Sequence, residues 1–375
     1  MGIELAADVE YVVFGAGVIG LACGRRLAER KKSFFVLEKE NQFGTGISSR
    51  NSEVIHSGIY YGADSLKTKL CIEGRRLLYE YCETKNVPFK KTGKLIVAVE
   101  ADEIPKLRSL YENGKRNGIG ELYWWDESEI KRTEPSVRAV AAIYSSETGI
   151  VETKDLMSSY LADLSGEYGS LICNKYPVSL ETAGKHWRIS LNDGSEFTSE
   201  KVINSCGLGA YDFLGKIRDF PEESRPAAFR MAKGHYFSLT GSNIRVSHLI
   251  YPLPQVGGLG VHLTLDLAGG IRFGPDVEWV ERENYDVPEN LRSKFYDSVK
   301  RYLPQVHPDQ LQPSYAGIRP KLHGPEEKFA DFLIQTEKEH GMEGLVNLLG
   351  IESPGVTSSL AIANLVLNSL EGESL

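Results

Sequence analysis

At 375 residues, with 41% hydrophobic and 25% charged side chains, the chain has ordinary globular composition and exceeds one typical domain, so two packed domains are expected. A net charge of −8, a pI near 5.6 and the lack of any Lys/Arg-rich run exclude a large phosphate-binding face, and with it a nucleic-acid partner. Apolar stretches break at glycine well short of the ~20 residues of a membrane span, the first residues lack a basic flank, five cysteines form no C-x-x-C pair and eight histidines show no H-E-x-x-H spacing; a cytoplasmic chain with reduced thiols, no transmembrane segment, no signal peptide and no metal is expected.

The first elements read as βαβ. An apolar run ending at Phe14 leads directly into Gly15-Ala16-Gly17-Val18-Ile19-Gly20, a G-x-G-x-x-G, and Glu38 follows Gly20 by eighteen residues at the end of a second apolar run, Ser33 to Leu37. The glycines permit a tight strand-to-helix turn and close backbone approach to a pyrophosphate, while a helix amino end supplies donors and partial positive charge. Glu38 is placed to accept the hydroxyls of an adenosine ribose, with Lys39 beside it. A helix is predicted over Val18–Arg30, with Lys31-Lys32 suited to its carboxyl end.

A polar, glycine-rich loop spans Asn41 to Ser52, and a helix is predicted over Ser65–Lys85. Thr92–Val99 reads as a strand. Residues 102–136 read as a helix and a strand, with Tyr123-Trp124-Trp125 taken as core packing. Thr153–Tyr168 reads as a helix, followed by strands near 171–191 and a further strand over Lys201–Gly207 that ends in small residues, as a backbone passing beside a cofactor must. Strands follow at Gly234–Leu239, His248–Pro252, Gly260–Leu265 and Gly270–Gly274, a run that indicates a larger antiparallel sheet. A helix is expected at Glu289–Tyr302, then a strand, a glycine turn and a last helix beginning after Ser353-Pro354-Gly355.

The fingerprint by itself does not separate FAD from NAD. The segment Gly44-Thr45-Gly46-Ile47-Ser48-Ser49-Arg50-Asn51-Ser52-Glu53-Val54-Ile55-His56-Ser57-Gly58-Ile59-Tyr60-Tyr61, taken with Gly15 to Glu38 and Ser65 to Gly74, closely resembles the D-amino-acid-oxidase-like flavoproteins, and within them the group of L-2-hydroxyglutarate dehydrogenases and oxidases. Collinear matches continue through Gly234-His235-Tyr236-Phe237, Ile250-Tyr251-Pro252, Gly260 to Thr264, Gly274-Pro275, Tyr315 to Lys321 and Gly350 to Ser359. One departure stands out. The hydroxyglutarate enzymes read T-G-H-N-S-G-V-I-H-S-G, whereas here Ile47-Ser48-Ser49-Arg50 is inserted before Asn51-Ser52 and Glu53 replaces glycine. The Ser-Ser-Arg element is similar to glycerol-3-phosphate dehydrogenases of the same superfamily.

The resemblance implies an α/β fold with an α+β second domain: a Rossmann-like FAD-binding domain of the glutathione-reductase type, assembled from residues 1–95, 150–228 and 328–375, and an antiparallel-sheet substrate domain from 96–149 and 229–327. It implies FAD as cofactor and oxidation of an L-2-hydroxy acid, L-2-hydroxyglutarate to 2-oxoglutarate, by hydride transfer. Other readings are an FAD-dependent amine or amino acid oxidase, a glycerol-3-phosphate dehydrogenase, an NAD-dependent dehydrogenase, and a flavin-holding redox sensor. The electron acceptor, oxygen or quinone, is open, as is peripheral membrane contact.

Oxidising a 2-hydroxy acid requires a grip on the carboxylate, a base for the hydroxyl proton and a held Cα. By resemblance, Arg319 grips the carboxylate through its planar fork. His56, in the loop that in this family passes beside the flavin ring, is the candidate base, or a covalent attachment point as in some relatives. His262, His235 and Tyr251 are alternates for the base or for a distal carboxylate. The cofactor candidates are Gly15, Gly17, Val18, Gly20, Glu38 and Lys39; Thr45, Ser48, Ser49, Arg50 and Asn51 toward the pyrophosphate; Val178 pairing its backbone with adenine; Cys206, Gly207 and Leu208 in close approach; Arg319; and Pro354, Gly355, Val356 and Thr357, whose helix amino end stabilises negative charge on the reduced flavin.

Overall fold

The structure, a computed structural model, describes residues 6–253, 260–327 and 329–372. It divides into two compact units. The first comprises Met1–Ser49, Thr153–Arg230 and Pro320–Leu375, the second Arg50–Glu152 and Met231–Arg319.

The first unit is built on a mostly parallel sheet. Val9–Phe14 lies between Phe34–Leu37 and Glu196–Asn204, parallel to both; Gly169–Ile172 extends one side and Leu345–Leu349 pairs with Glu196–Asn204 on the other. Val9–Phe14 is almost continuously apolar because both faces of the sheet are covered. The hairpin Pro177–Ala183 and His186–Leu191 adds antiparallel strands at the edge. Helix Val18–Glu29 packs against helix Thr153–Leu164 and against helix Gly355–Glu371. The last helix is buried over most of its length, including Leu360, Ile362, Val366 and Leu367, which follows from its apolar composition.

The second unit centres on a nine-stranded sheet. Its order is Glu278–Val280, Arg230–Leu239, Ile271–Phe273, Leu263–Leu265, Leu249–Pro252, Lys94–Ala98, Ala141–Ser145 and Leu122–Asp126, with Leu311–Lys321 added beside Arg230–Leu239. Leu249–Pro252 and Lys94–Ala98 run parallel, and the other registered neighbours run antiparallel. Its core is one apolar cluster including Leu95, Val97, Ile143, Ile250, Phe273, Phe295 and Tyr302. Helix Leu66–Lys85 begins at Ser65, whose hydroxyl accepts from the Thr68 N–H at 3.1 Å, and ends at Asn86 in the left-handed conformation.

Residues 50–95, expected with the cofactor-binding segments, group with this second unit. The physical reason is pairing: Lys94–Ala98 is held on both sides by strands of the nine-stranded sheet. The aromatic cluster is also only partly core. Tyr123 is 52% exposed because Leu122–Asp126 is an edge strand, although Trp125 packs 4.6 Å from Tyr144. The helix expected at 289–302 is shorter, a 3₁₀ turn Glu289–Leu291 followed by Arg292–Val299.

Candidate functional site

In the first unit the glycine fingerprint forms a cradle. Gly15 has φ +95°, and a Cβ there would sit 2.6 Å from the Ser205 carbonyl oxygen; a Cβ on Gly20 would collide with the Gly15 carbonyl. The cradle therefore needs both glycines, one for conformation and one for the approach of helix to strand. Helix Val18–Glu29 starts at Gly17, which supplies no capping side chain; the Val18 N–H donates to the Ser48 hydroxyl, and the amino end carries partial positive charge. Glu38 is 8% exposed, and its carboxylate accepts from Ala16 N–H at 2.7 Å and Glu40 N–H at 3.0 Å, which fixes it beside the cradle with acceptor capacity to spare. The turn Gly207–Gly209, containing Leu208, follows Ser205 and Cys206; the Ser205 hydroxyl donates to the carbonyls of Phe14 and Gly15. Burial pushes the Cys206 thiol up to about 12, so it stays neutral. Helix Gly355–Glu371 opens at Pro354 with no side-chain cap and no acidic residue in its first turn, so its amino end carries partial positive charge, although the Gly355 N–H is donated to the Glu352 carbonyl oxygen. A glycine cradle a Cβ would fill, two helix amino ends and a fixed acid at the end of the second strand fit a dinucleotide.

The remaining cofactor candidates have these surroundings in the protein. The Ser48 hydroxyl accepts from Val18 N–H at 2.9 Å, so it serves the first turn of the helix; the Ser49 hydroxyl donates to the carbonyls of Thr45 and Gly46 within its own turn. Arg50 belongs to the second unit, where its guanidinium lies 4.1 Å over the Tyr285 ring. Asn51 closes a local turn by accepting from Glu53 N–H at 2.7 Å, and its carbonyl accepts from the Tyr315 hydroxyl at 2.6 Å. Lys39 is exposed and 3.6 Å from Glu40. Val178 has a 52% exposed side chain, and a bulge between Pro177 and Ser179 leaves it out of the strand register.

In the second unit, strand register assembles a row of side chains. Ile250 pairs with Leu263, which puts Tyr251 opposite His262; their rings stack at 3.7 Å with 9° between planes. Leu263 and Phe237 both pair with Phe273, so the row continues through Gly274 to Tyr236. Tyr236 stacks on Tyr315 at 4.4 Å, and its hydroxyl is hydrogen-bonded with Arg319 and Ser52. Arg319, Gly317 and Tyr315 alternate onto one face of Leu311–Lys321. A Cβ on Gly317 would collide with the Arg50 carbonyl oxygen, so glycine there lets the Arg50–Glu53 segment lie against the strand.

His56 follows the short strand Val54–Ile55, and its carbonyl accepts from the Cys71 thiol at 3.4 Å. Burial first, then the charges of Lys94, His262 and Arg319, hold the His56 imidazole well below its ordinary value. Burial, Lys94 and Arg319 likewise push His262 down to about 3. Both rings are therefore neutral at pH 7 and able to accept a proton. His56, His262, Tyr251 and Arg319 are thus brought together.

His235 is not. It alternates to the face of its strand opposite Tyr236, and its Nδ1 lies 2.8 Å from Asp276, which also accepts from the His235 N–H and from Lys294 at 2.8 Å. Although burial opposes it, these bonds hold Asp276 down to about 2. His235 is held in this hydrogen-bonded network and is not brought together with His56, His262, Tyr251 and Arg319.

Lys94 was not among the candidates from sequence. It lies on the same face of its strand as Ile96, the register partner of Tyr251, is fully buried, and its Nζ is 4.7 Å from the Tyr251 ring centroid and 5.2 Å from that of Tyr60. The available signal was a lone lysine opening an otherwise apolar strand. The departure at Glu53 is also explained: its φ is +59°, the conformation that favours glycine, and its carboxylate is held by Arg272 at 3.1 Å. Among the described residues, no group of three His, Cys, Asp or Glu side chains could hold a metal, and no helix is long and apolar enough to cross a membrane.

Comparison with known proteins gives three findings. The model of the FAD dependent oxidoreductase family matches residues 10–368. A protein of Arabidopsis thaliana named L-2-hydroxyglutarate dehydrogenase, mitochondrial, is 40% identical over 96% of this chain and 83% of its own, and one of Pongo abelii with the same name is 33% identical over 97% and 88%. Among solved structures, the L-alpha-glycerophosphate oxidase of Mycoplasma pneumoniae with FAD bound superposes with a TM-score of 0.85 at 22% identity, covering 97% of this chain and 94% of that one.

Proposed function

The chain belongs to the FAD dependent oxidoreductase family, with FAD as its cofactor, and on that premise we propose that it oxidises L-2-hydroxyglutarate to 2-oxoglutarate. The relatives' names support the substrate. The observation that carries the reading is the second unit's pair of neutral histidines acted on by two cations, Arg319 and Lys94.

Arg319 binds the carboxylate next to the hydroxyl, its planar fork matching two oxygens. His56 accepts the hydroxyl proton as the Cα–H bond breaks, and the stacked Tyr251–His262 pair walls the substrate and orients its hydroxyl. When bound, FAD would supply the hydride acceptor. The cofactor would be held by Gly15, Gly17, Val18 and Gly20 at its pyrophosphate, by Glu38 at its ribose, by the Val178 backbone at adenine, by the Cys206 to Leu208 turn, and by the Pro354 to Thr357 helix start. The two cations disfavour an amino acid substrate, whose ammonium would join them. All five cysteines are free, which supports a reducing compartment; we take this as the cytoplasm, although the relatives above are named as mitochondrial.

The test is anaerobic mixing of the FAD-loaded protein with L-2-hydroxyglutarate, its D-enantiomer, L-amino acids and glycerol 3-phosphate. Only the first should bleach the flavin. Bleaching by another member of the panel, with none by L-2-hydroxyglutarate, would overturn the assignment.

A further inference from the structure

Burying a lysine is costly unless its ammonium is paired, and chains that bury one usually supply the partner. This chain does so elsewhere. Lys321, largely buried, reaches Glu352 at 2.7 Å, and the buried Lys233 donates to the Asn284 amide oxygen at 3.4 Å. Lys94 is the exception. It is 0% exposed, and among the described residues its Nζ has no hydrogen-bond partner. The groups around it are the rings of Tyr60 and Tyr251, the imidazoles of His56 and His262, and the Cys71 thiol. None is an anion: burial pushes Cys71 up to about 12, so its thiolate is absent at neutral pH.

A fixed cation among aromatic rings, with no carboxylate of its own, is a receptor for an anion from outside the chain. Its position narrows the choice. The charges of Lys94 and Arg319 both act on His56 and on His262. A ligand with its hydroxyl at these histidines and one carboxylate on Arg319 therefore has a second cation within the same constellation. We propose that Lys94 receives the second carboxylate of the substrate and thereby selects 2-hydroxy dicarboxylates over 2-hydroxy monocarboxylates of the same length. The proposal rests on the reading of the site as one that oxidises a hydroxy acid. It assigns Lys94 the distal carboxylate in place of His262 or His235.

The experiment uses FAD-loaded wild type and Lys94→Met, a neutral side chain of similar length, with Lys94→Gln as a second variant should the first fail to fold. Two substrates, L-2-hydroxyglutarate and L-2-hydroxypentanoate, are compared by flavin reduction. Two unreactive probes, glutarate and pentanoate, are compared by the perturbation of the flavin spectrum on binding. Loss of one charge-assisted contact should lower kcat/KM for L-2-hydroxyglutarate and the affinity for glutarate by about 10- to 100-fold. Turnover of L-2-hydroxypentanoate, pentanoate binding and FAD content should stay within about threefold of wild type. An equal loss for both substrates, or no loss for either, would overturn the proposal. If wild type is not reduced by L-2-hydroxyglutarate yet binds glutarate in a Lys94-dependent way, the dicarboxylate site stands and the proposed reaction falls. If wild type is reduced and Lys94→Met is reduced equally well, the proposed reaction stands and the role of Lys94 falls.

Discussion

Lys94→Met should make the folded protein more stable, an outcome opposite to that of most core substitutions. Burial drives the Lys94 ammonium down from 10.5 to about 8. That difference corresponds to about 3 kcal/mol of destabilisation borne by the folded state while the lysine is charged. Below pH 8 both folded and unfolded chains carry the proton, so the full penalty applies. Between about 8 and 10.5 the folded protein has released the proton and the unfolded chain has not, so wild-type stability rises with pH relative to the variant. The gap between variant and wild type should thus be about 3 kcal/mol at pH 7 and close to zero near pH 10.5. Urea unfolding of both FAD-loaded proteins at pH 7, 8.5 and 10 measures it. In melting temperature the gap is roughly 4–7 °C at pH 7, from an unfolding entropy of about 2.1 cal/mol/K per residue over the whole chain or over the compact unit that holds Lys94. A variant no more stable than wild type at pH 7, or a gap that does not change with pH, would refute the reasoning, because Lys94 would then have a compensating partner in the folded state.

Arg319→Lys should keep FAD but lose roughly 10- to 100-fold in kcat/KM for the hydroxy acid, because a point charge replaces a two-oxygen fork; stopped-flow flavin reduction reads it. For His56, the lowered proton affinity of the free protein moves the acid limb of kcat/KM well below pH 6.5, since only the neutral ring accepts a proton; a dianionic substrate offsets Lys94 and Arg319, so the limb of kcat should lie at higher pH, and His56→Ala should lack both limbs and be slowed by about 10²–10⁴-fold. Glu38→Ala should weaken FAD retention by roughly tenfold or more in ultrafiltration, as it removes both the fixed acceptor and the bond to Ala16 N–H. Glu53→Ala should be less stable than Glu53→Gly by about 1 kcal/mol, as both lose the Arg272 pair but only alanine keeps the cost of φ +59°; equal stabilities would show that backbone strain is not a factor there.

The first unit was legible because its signals are local. The glycine fingerprint, the apolar strand before it and Glu38 after it lie within one βαβ stretch, and the conformations that need glycine at 15 and 20 are created by that same stretch and by Ser205. The loop from Thr45 to Asn51 was less legible for the same reason. A hydroxyl or guanidinium in a polar loop suits a phosphate, but it equally suits a helix N–H, a nearby carbonyl or a tyrosine ring, and those are the partners Ser48, Ser49 and Arg50 have. Strand Ala141–Ser145 escaped notice because a run of alanines has weak strand preference, and its pairing with Lys94–Ala98 supplies what propensity does not.

The second unit's constellation is non-local throughout. A lysine at the head of an apolar strand reads as a side chain that bends back to water, and nothing near Lys94 in sequence says otherwise. It is buried because Leu249–Pro252 pairs alongside it and brings Tyr251, and Tyr251 in turn is covered by His262 from the next strand. The same accounting separates His262 from His235, which sequence treated alike. Register turns His262 toward Tyr251 and alternation turns His235 toward Asp276. A slip of one residue between Leu249–Pro252 and Leu263–Leu265 would send one of the stacked rings to the other face and uncover Lys94. Strand register is therefore as much a component of this site as the side chains are, and variants that loosen the pairing around residues 250 and 263 should change substrate binding before they change FAD retention.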